Sequence, residues 1–231
     1  MIKTIKISSF LTLIIICILL GFWQIDRGEE KDILYNLFTE QSLSEPVLIS
    51  SLNMLEQKQY ARVELKGVYI KNKQFLLDNK INNKKAGYEI LTPLLFKNKI
   101  ILVNRGWVSN NSRQTMPDIE IRKENDFITG YIYYYPEAYE LMEDNYLNNW
   151  PLIIQNIKIN EISQMFNKNV LPYVVVMDQE QTNSFKIQSI HEKNPAIKHY
   201  MYAGQWFLFS LIGLVFMIIL IREEKNESRS D

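Results

Sequence analysis

Residues that could hold a ligand stand at the ends of two long apolar runs. The first run ends with Trp23 and Arg27, four residues apart, and the second begins with His199, Tyr202 and Trp206. At helical spacing His199, either Tyr202 or Ala203, and Trp206 fall on one stripe. An imidazole, aromatic rings and a cation suit a planar amphipathic ligand. Haem is the natural candidate, with His199 as axial ligand of the iron, Trp and Tyr rings against the macrocycle, and Arg27 near a propionate.

The same residues have a second interpretation that involves no ligand. Trp and Tyr commonly form belts at the two interfaces of a membrane, whatever the function of the protein. Long cationic side chains extend from the ends of apolar helices toward water for the same reason. Residue types and spacing leave both interpretations open.

Most catalytic and metal-binding classes lack the residues that they require. The 231 residues include one Cys and two His, which excludes a disulfide within the chain and a three-His metal site. The histidines, His191 and His199, stand just before the second apolar run, and the eight Gly form no phosphate-binding loop. Lys+Arg and Asp+Glu number 26 each, without the basic excess of nucleic-acid binders. We therefore expect neither enzyme activity nor a nucleic-acid partner.

Two uncharged runs are long enough to cross a lipid bilayer as helices. Residues 7–25 comprise 19 residues and residues 200–221 comprise 22, or roughly 28 Å and 33 Å at the helical rise. The first run lacks a small-residue cleavage site, so we expect an uncleaved anchor. Cys17 lies within it, where we expect a small buried apolar residue.

The charges beside the two spans give only a small preference for one orientation in the membrane. Five cationic residues flank the terminal ends of the spans and four flank the inner ends, a small difference under the positive-inside rule. The short cationic amino terminus favours cytoplasmic tails at residues 1–6 and 222–231. We expect a bacterial inner-membrane protein whose middle segment, residues 26–199, is periplasmic.

The middle segment has the length of one ordinary domain. Its patterns predict strands at 62–70, 74–78, 87–96, 99–108, 127–135, 152–159 and 170–177, and helices at 26–38, 51–59 and 161–167. Because strands outnumber helices and are expected to pair mostly in sequence order, the predicted fold class is α+β. We expect two transmembrane helices flanking a mainly antiparallel, sandwich- or barrel-like domain, not a βαβ fold.

Two hairpins are predicted within this domain from strands that are separated by short polar turns. The first joins residues 62–70 to 74–78 through the turn Lys71-Asn72-Lys73. The second joins residues 87–96 to 99–108 through Lys97-Asn98-Lys99.

Five motifs, in order along the chain, carry a resemblance to a known family. They are GFWQIDR at 21–27, RVELKGVY at 62–69, GYEILTPLL at 87–95 with ILVNRGWV at 101–108, TGYIYYYPE at 129–137, and HYMYAGQWF at 199–207. With the two spans in matching places, the chain resembles the Surfeit locus protein family of cytochrome oxidase assembly factors, bacterial type. It departs from the family pattern at Ser109, at Trp150-Pro151 and at Tyr200-Met201, and no departure removes a chemically active residue.

The resemblance implies a role in the assembly of haem-copper terminal oxidases. By this resemblance, the chain is expected to deliver or hold haem A for insertion into the large oxidase subunit, subunit I. Haem A synthase is expected as a further partner. The histidine that opens the second span is the proposed haem contact in the bacterial branch, which corresponds to His199, with Tyr202 and Trp206 as neighbours. Extending the contact to Trp23 and Arg27 is our own inference.

Two interpretations remain open for the RGWV stretch at 105–108, and two for the function of the protein. In a structural interpretation, Arg105 satisfies buried polar groups, Gly106 permits a bulge or close approach, and Trp107 belongs to the core. In the other interpretation this stretch faces a protein partner. That second reading belongs to an alternative function, a cofactor-free membrane scaffold that stabilises oxidase subunits during assembly. The haem stoichiometry of the purified protein distinguishes the two functions.

Overall fold

The computed structural model of the chain describes residues 2–50, 57–110, 116–136, 150–187 and 193–227. The chain divides into two compact units, one made of Met1–Phe38 with His191–Asp231 and the other of Thr39–Ile190. In chain order the elements are α1 (Ile2–Ser42), β1 (Val47–Leu48), β2 (Arg62–Tyr69), β3 (Phe75–Asn82), β4 (Lys85–Phe96), β5 (Lys99–Ser109), β6 (Asn125–Tyr133), β7 (Leu152–Ile154), α2 (Ile159–Phe166), β8 (Val170–Met177) and α3 (Ala196–Glu227).

The first unit contains two helices that are long and apolar enough to cross a membrane. Their candidate spans are Ile7–Ser42 and Ala196–Glu223, with mean hydropathy of 2.1 and 2.3 in the most apolar windows. The predicted spans, residues 7–25 and 200–221, lie inside these two helices. Helix α1 continues without interruption beyond the predicted span, as the helical pattern of residues 26–38 indicates, and ends at Ser42.

The two helices pack along a seam of small residues. On α1 the buried positions Ile14, Cys17, Gly21 and Gly28 recur at the three- and four-residue spacing of coiled-coil packing. On α3 the buried positions are Ala196, Ala203 and Gly213. Glycine is needed because bulky residues press on it from the other helix. A Cβ at position 21 would lie 2.6 Å from the ring of Phe207, and one at position 28 would lie 2.5 Å from the ring of Tyr200.

The faces of α1 and α3 away from the seam carry exposed apolar side chains. Leu13 and Leu19 on α1 are 54% and 63% exposed, and Leu208 on α3 is 53% exposed. An apolar surface of this extent is stable in lipid and unfavourable in water. The unit therefore has the features of a two-pass membrane protein.

The second unit is built around a closed ring of five strands. The ring runs β2-β6-β8-β5-β4, and a pairing of β2 with β4 closes it, Val68 opposite Leu95 and Tyr69 opposite Leu94. Strand β1 adds to β2, while β3 and β7 continue the sheet beyond β4. Among the described strands, five pairings are antiparallel and three are parallel. The predicted α+β class with a mainly antiparallel domain is confirmed, and the domain is a barrel.

Apolar side chains from every strand of the ring fill the barrel. The cluster includes Val63, Leu65, Leu94, Ile101, Val103, Ile128, Ile132, Leu171 and Val175. The alternate residues of β5 and β8 face outward but are also buried, because they form a second cluster with β3, β7 and Ile162 of α2. Burial on both faces explains why these two strands are apolar almost without alternation.

The predicted hairpin between residues 62–70 and 74–78 is wrong, although both strands exist. Strand β2 ends where Tyr69 pairs with Leu94 of β4, and β3 begins where Phe75 pairs with Leu91 of the same strand. Both strands are antiparallel to β4, so they run in the same direction, one after the other along its edge. The turn Lys71-Asn72-Lys73 interrupts the edge and does not reverse the chain.

The predicted pairing order and one strand also differ from the structure. We expected pairing mostly between sequence neighbours, but β8 lies between β5 and β6, and β2 pairs with β6. The apolar β8 can enter the ring because β5 and β6 each leave an edge for it. The strand predicted at 152–159 is shorter, since β7 ends at Ile154 and α2 begins at Ile159. Most of the helix predicted at 51–59 lies outside the described residues. The predicted hairpin between residues 87–96 and 99–108 is confirmed as β4 and β5.

Candidate functional site

His199 lies in the seam between the two long helices, in the first turn of α3. Its Nδ1 atom is 2.8 Å from Oε1 of Gln24 on α1. An amide oxygen only accepts hydrogen bonds, so Nδ1 carries the proton and donates it to Gln24. In the neutral imidazole the other ring nitrogen, Nε2, then keeps its lone pair. Among the described residues, Gln24 is the hydrogen-bond partner that the structure gives to this ring.

The local sequence fixes the register of His199 against Gln24. Gly21 and Gly28 stand three residues before and four residues after Gln24, and they contact the rings of Phe207 and Tyr200. A second polar contact joins the helices where α3 begins, as Asn194 Nδ2 donates to Asp32 Oδ1 at 2.6 Å. Contacts on both sides of the His199–Gln24 pair therefore set how the helices align.

The other four predicted ligand-binding residues differ in their exposure and in their contacts. Trp206 is half-buried and packs edge-on against Phe209 of its own helix, with ring centroids 6.0 Å apart. Trp23 is 52% exposed and Tyr202 is 51% exposed, so neither belongs to the seam. Arg27 forms an ion pair with Glu30 of its own helix. The structure thus keeps His199 and Trp206 on one stripe and leaves Trp23 and Tyr202 on the outer surface.

The RGWV stretch lies in β5 of the barrel, and Arg105 is its most buried charge, at 1% exposure. The guanidinium donates to Gln74 Oε1 at 2.9 Å and to the backbone oxygens of Ile119, Glu120 and Asn183. These acceptors are neutral, so burial lowers the pKa of Arg105 to about 10. Arg105 therefore satisfies buried polar groups, as the structural interpretation of the RGWV stretch predicts.

Gly106 and Trp107 shape the same strand. Opposite β4, Trp107 pairs with Glu89 but Asn104 pairs with Leu91, so the two residues between them form a bulge. Gly106 has φ of +111°, and a Cβ there would lie 2.9 Å from the backbone oxygen of Lys186. Trp107 is buried and donates its Nε1 hydrogen to the Lys80 oxygen at 3.0 Å. These contacts are internal, and binding of a partner by this stretch stays a prediction.

A polar network beside this bulge brings together two of the five sequence motifs. Tyr135 donates its hydroxyl to Glu89 Oε2 at 2.9 Å and accepts a hydrogen bond from Asn104 Nδ2 at 2.7 Å. Lys80 Nζ lies 3.6 Å from Glu89 Oε2. Burial, together with the nearby Glu89 carboxylate, holds the pKa of Tyr135 well above its ordinary value. A cavity of about 210 Å³ lies against Glu89, Lys80 and Tyr135.

The described residues contain no cluster of three or more His, Cys, Asp or Glu side chains that could hold a metal ion. A single imidazole such as His199 can bind only a metal that brings its other ligands with it, as the iron of haem does. The donor set at His199, a single imidazole, therefore fits one axial position of a haem iron.

A family model described as the SURF1 family matches residues 11–211 of the chain. The chain belongs to the SURF1 family. A SURF1-like protein of Rickettsia felis is 26% identical over 90% of this chain and 92% of its own length. One of Rickettsia conorii is 25% identical over 93% and 91%. One of Rickettsia bellii is 33% identical over a shorter stretch, 47% of this chain and 45% of its own.

Membership confirms the predicted resemblance, because SURF1 is the Surfeit locus family of cytochrome oxidase assembly factors. The two apolar helices at the ends of this SURF1 chain agree with a membrane protein that takes part in oxidase assembly.

Sequence reasoning missed two sets of residues in this SURF1 protein. Gln24 lies inside the GFWQIDR motif, but a lone glutamine gives no sign of a partner 175 residues away. Glu89 and Asn104 belong to the paired motif at 87–95 and 101–108 and Tyr135 to the motif at 129–137, and their common network appears only in the folded barrel. A usable signal was present for two of them: Glu89 directly precedes the apolar pair Ile90-Leu91, and Asn104 directly follows the apolar run 101–103.

Proposed function

We propose that this SURF1 family protein binds haem A transiently through His199 and assists its insertion into subunit I of a haem-copper terminal oxidase. The observation that carries the proposal is the hydrogen bond from His199 Nδ1 to Gln24, which leaves the Nε2 lone pair for an axial bond to iron. Haem A supplies the redox-active iron and is the cargo of this protein. The protein itself makes and breaks no covalent bond.

A single axial histidine suits a carrier better than a pair of histidines would. One imidazole holds the cargo on one face of the macrocycle and leaves the other face open to the recipient. Of the two histidines of the chain, His199 is a described residue, and it lies in the seam beside Gln24. Release then requires the loss of a single coordinate bond, which is consistent with handing the cargo on.

The remaining predicted residues supply contact area around His199. Trp206, on the same stripe, and the half-exposed rings of Tyr202 and Trp23 offer apolar surface to a planar macrocycle. Arg27 can approach a propionate only by exchanging its ion pair with Glu30. We therefore assign Arg27 the weakest contribution of the five residues.

We place the protein in the bacterial inner membrane, with both tails in the cytoplasm and the barrel domain in the periplasm. The supporting observations are the two apolar helices at the ends of the chain and the short cationic amino terminus. In this arrangement the protein contacts lipid, subunit I and, as a source of cargo, haem A synthase.

The optical spectrum of the full chain, purified in detergent after co-expression with haem A synthesis, tests the proposal. We expect a stoichiometric haem band in the wild type, its loss in His199→Ala, and its retention in the matched control His191→Ala. A colourless wild type, or a band of full height in His199→Ala, would contradict haem binding through His199.

The scaffold function remains the second candidate, and one observation favours it. Trp23 and Tyr202 present half-exposed rings on the outer surface of the helices, as expected for residues that contact another membrane protein. Co-purification of oxidase subunits with a haem-free wild type would support the scaffold. Co-purification that requires His199 and haem would support the carrier.

A further inference from the structure

We propose that Gln24 is a positioning residue for His199, which fixes the tautomer of the imidazole and tunes the strength of Nε2 as a ligand. This inference rests on the proposed function, because it concerns how His199 meets the iron. It adds a residue that neither the motifs nor the family name assigns to the site.

The first step of the argument is the tautomer. A neutral imidazole carries its proton on one of two nitrogens, and only the nitrogen without the proton can bind iron. Gln24 Oε1, 2.8 Å from Nδ1, favours the form protonated at Nδ1. The form with its lone pair on Nε2, the outer nitrogen of the ring, is therefore present before any cargo arrives.

The second step is orientation. A histidine held at one point can rotate about its side-chain bonds, and a hydrogen bond to a fixed acceptor removes much of that freedom. The backbone that carries the acceptor is fixed on both sides, because the rings of Phe207 and Tyr200 pack against Gly21 and Gly28. The ring thus keeps one direction set by helix packing.

The third step is electronic. A hydrogen bond accepted from Nδ1–H increases the donor strength of Nε2, as outer partners do for histidine ligands in general. A stronger acceptor than an amide should stabilise the ferric state and lower the reduction potential of bound haem. Removal of the acceptor should raise the potential.

Three substitutions test these steps, with a control on the same helix pair. Gln24→Leu removes the acceptor and makes the span more apolar, so the helix is retained. Gln24→Glu replaces the amide with a stronger acceptor. Gln205→Leu changes a glutamine that is exposed on α3, and its side chain lies outside the seam.

The first measurement needs no haem. Nitrogen-15 NMR of histidine-labelled full-length protein in detergent, in a His191→Ala background, gives signals from His199 alone. We expect the Nδ1–H tautomer in the parent, in Gln24→Glu and in Gln205→Leu, and a shift toward the Nε2–H tautomer in Gln24→Leu. An Nε2–H parent, or a tautomer unchanged in Gln24→Leu, overturns the inference.

The second measurement uses haem A and separates this inference from the proposed function. We expect Gln24→Leu to weaken haem binding about 10- to 100-fold, the range typical of lost outer-shell partners, and to raise the reduction potential, with Gln24→Glu lowering it. Wild-type affinity and potential in Gln24→Leu overturn the role of Gln24 and leave that of His199 intact. Failure of the parent to bind haem overturns the proposed function, while the tautomer still decides whether Gln24 positions His199.

Discussion

Gln74 and Arg105 are hydrogen bonded inside the barrel domain, with Arg105 Nη1 2.9 Å from Gln74 Oε1. Gln74 also accepts a hydrogen bond from Thr92 at 2.8 Å and is 6% exposed. It stands at the end of the turn Lys71-Asn72-Lys73, just before β3. The chain therefore turns inward at this point to bring an acceptor to the buried guanidinium, and a tight reversal into a hairpin would carry Gln74 away from it.

Removal of the Arg105 guanidinium should destabilise the domain strongly. Arg105→Met leaves several buried oxygens without a donor, which should lower the free energy of unfolding by about 3 kcal/mol or more. Arg105→Lys should recover only part of the loss, because an ammonium cannot reproduce the planar fork of donors. Urea unfolding of the full chain in detergent, followed by Trp fluorescence, measures the change.

The exposed Arg122 supplies the control for this prediction. Arg122→Met should change the free energy of unfolding by less than about 0.5 kcal/mol. Equal stability of Arg105→Met and Arg122→Met would show that the buried network contributes nothing.

The raised pKa of Tyr135 predicts a loss of stability at alkaline pH. The pKa is above its ordinary value of about 10 in the folded protein, so the folded state keeps the proton longer than the unfolded state. The stabilisation is complete below about pH 10 and declines as the pH rises above it. Tyr135→Phe should make this decline shallower by up to about 1.4 kcal/mol per pH unit.

Unfolding measured at intervals between pH 8 and 11 tests the Tyr135 prediction. At neutral pH the same substitution should cost about 1 kcal/mol, because Glu89 and Asn104 lose a partner. An alkaline decline of the same slope in wild type and Tyr135→Phe would assign it to other groups.

A large side chain at Gly28 should separate the two helices near His199. A Cβ at this position already lies 2.5 Å from the Tyr200 ring, and overpacking of this kind costs about 1–3 kcal/mol. Gly28→Leu should therefore lower the SDS concentration at which the helix pair unfolds in mixed micelles.

Gly204 is the matched control on the partner helix, since a Cβ there meets no atom within 4 Å. Gly204→Leu should unfold at the same SDS concentration as wild type or a higher one. If Gly204→Leu unfolded at a lower SDS concentration than Gly28→Leu, the helix packing described here would be contradicted.

The sequence was informative where a pattern is local. Uncharged runs predicted both long helices, alternation predicted most strands, and the turn at Lys97-Asn98 predicted the β4–β5 hairpin. Barrel closure could not be predicted, because the pairing of Tyr69 with Leu94 depends on strands that are distant in the chain. Local alternation gives the faces of a strand and not its neighbours.

In the candidate site, too, local patterns could be predicted from the sequence and contacts between distant residues could not. The stripe of His199 and Trp206 follows from helical spacing within one segment, so it could be predicted from the sequence. The spacing could not decide between positions 202 and 203, and the structure buries Ala203 and exposes Tyr202. Gln24 was not predicted as a partner of His199, because only the packing of glycines at 21 and 28 brings the two side chains together.

The central claim is that the imidazole of His199 is the bond between this protein and haem A. The most direct measurement is the amount of haem that remains on His199→Gly after gel filtration, with and without added imidazole. We expect wild type to retain a stoichiometric haem band, the variant to lose it, and imidazole to restore it by taking the place of the missing side chain. Full retention of haem by His199→Gly without imidazole would contradict the claim.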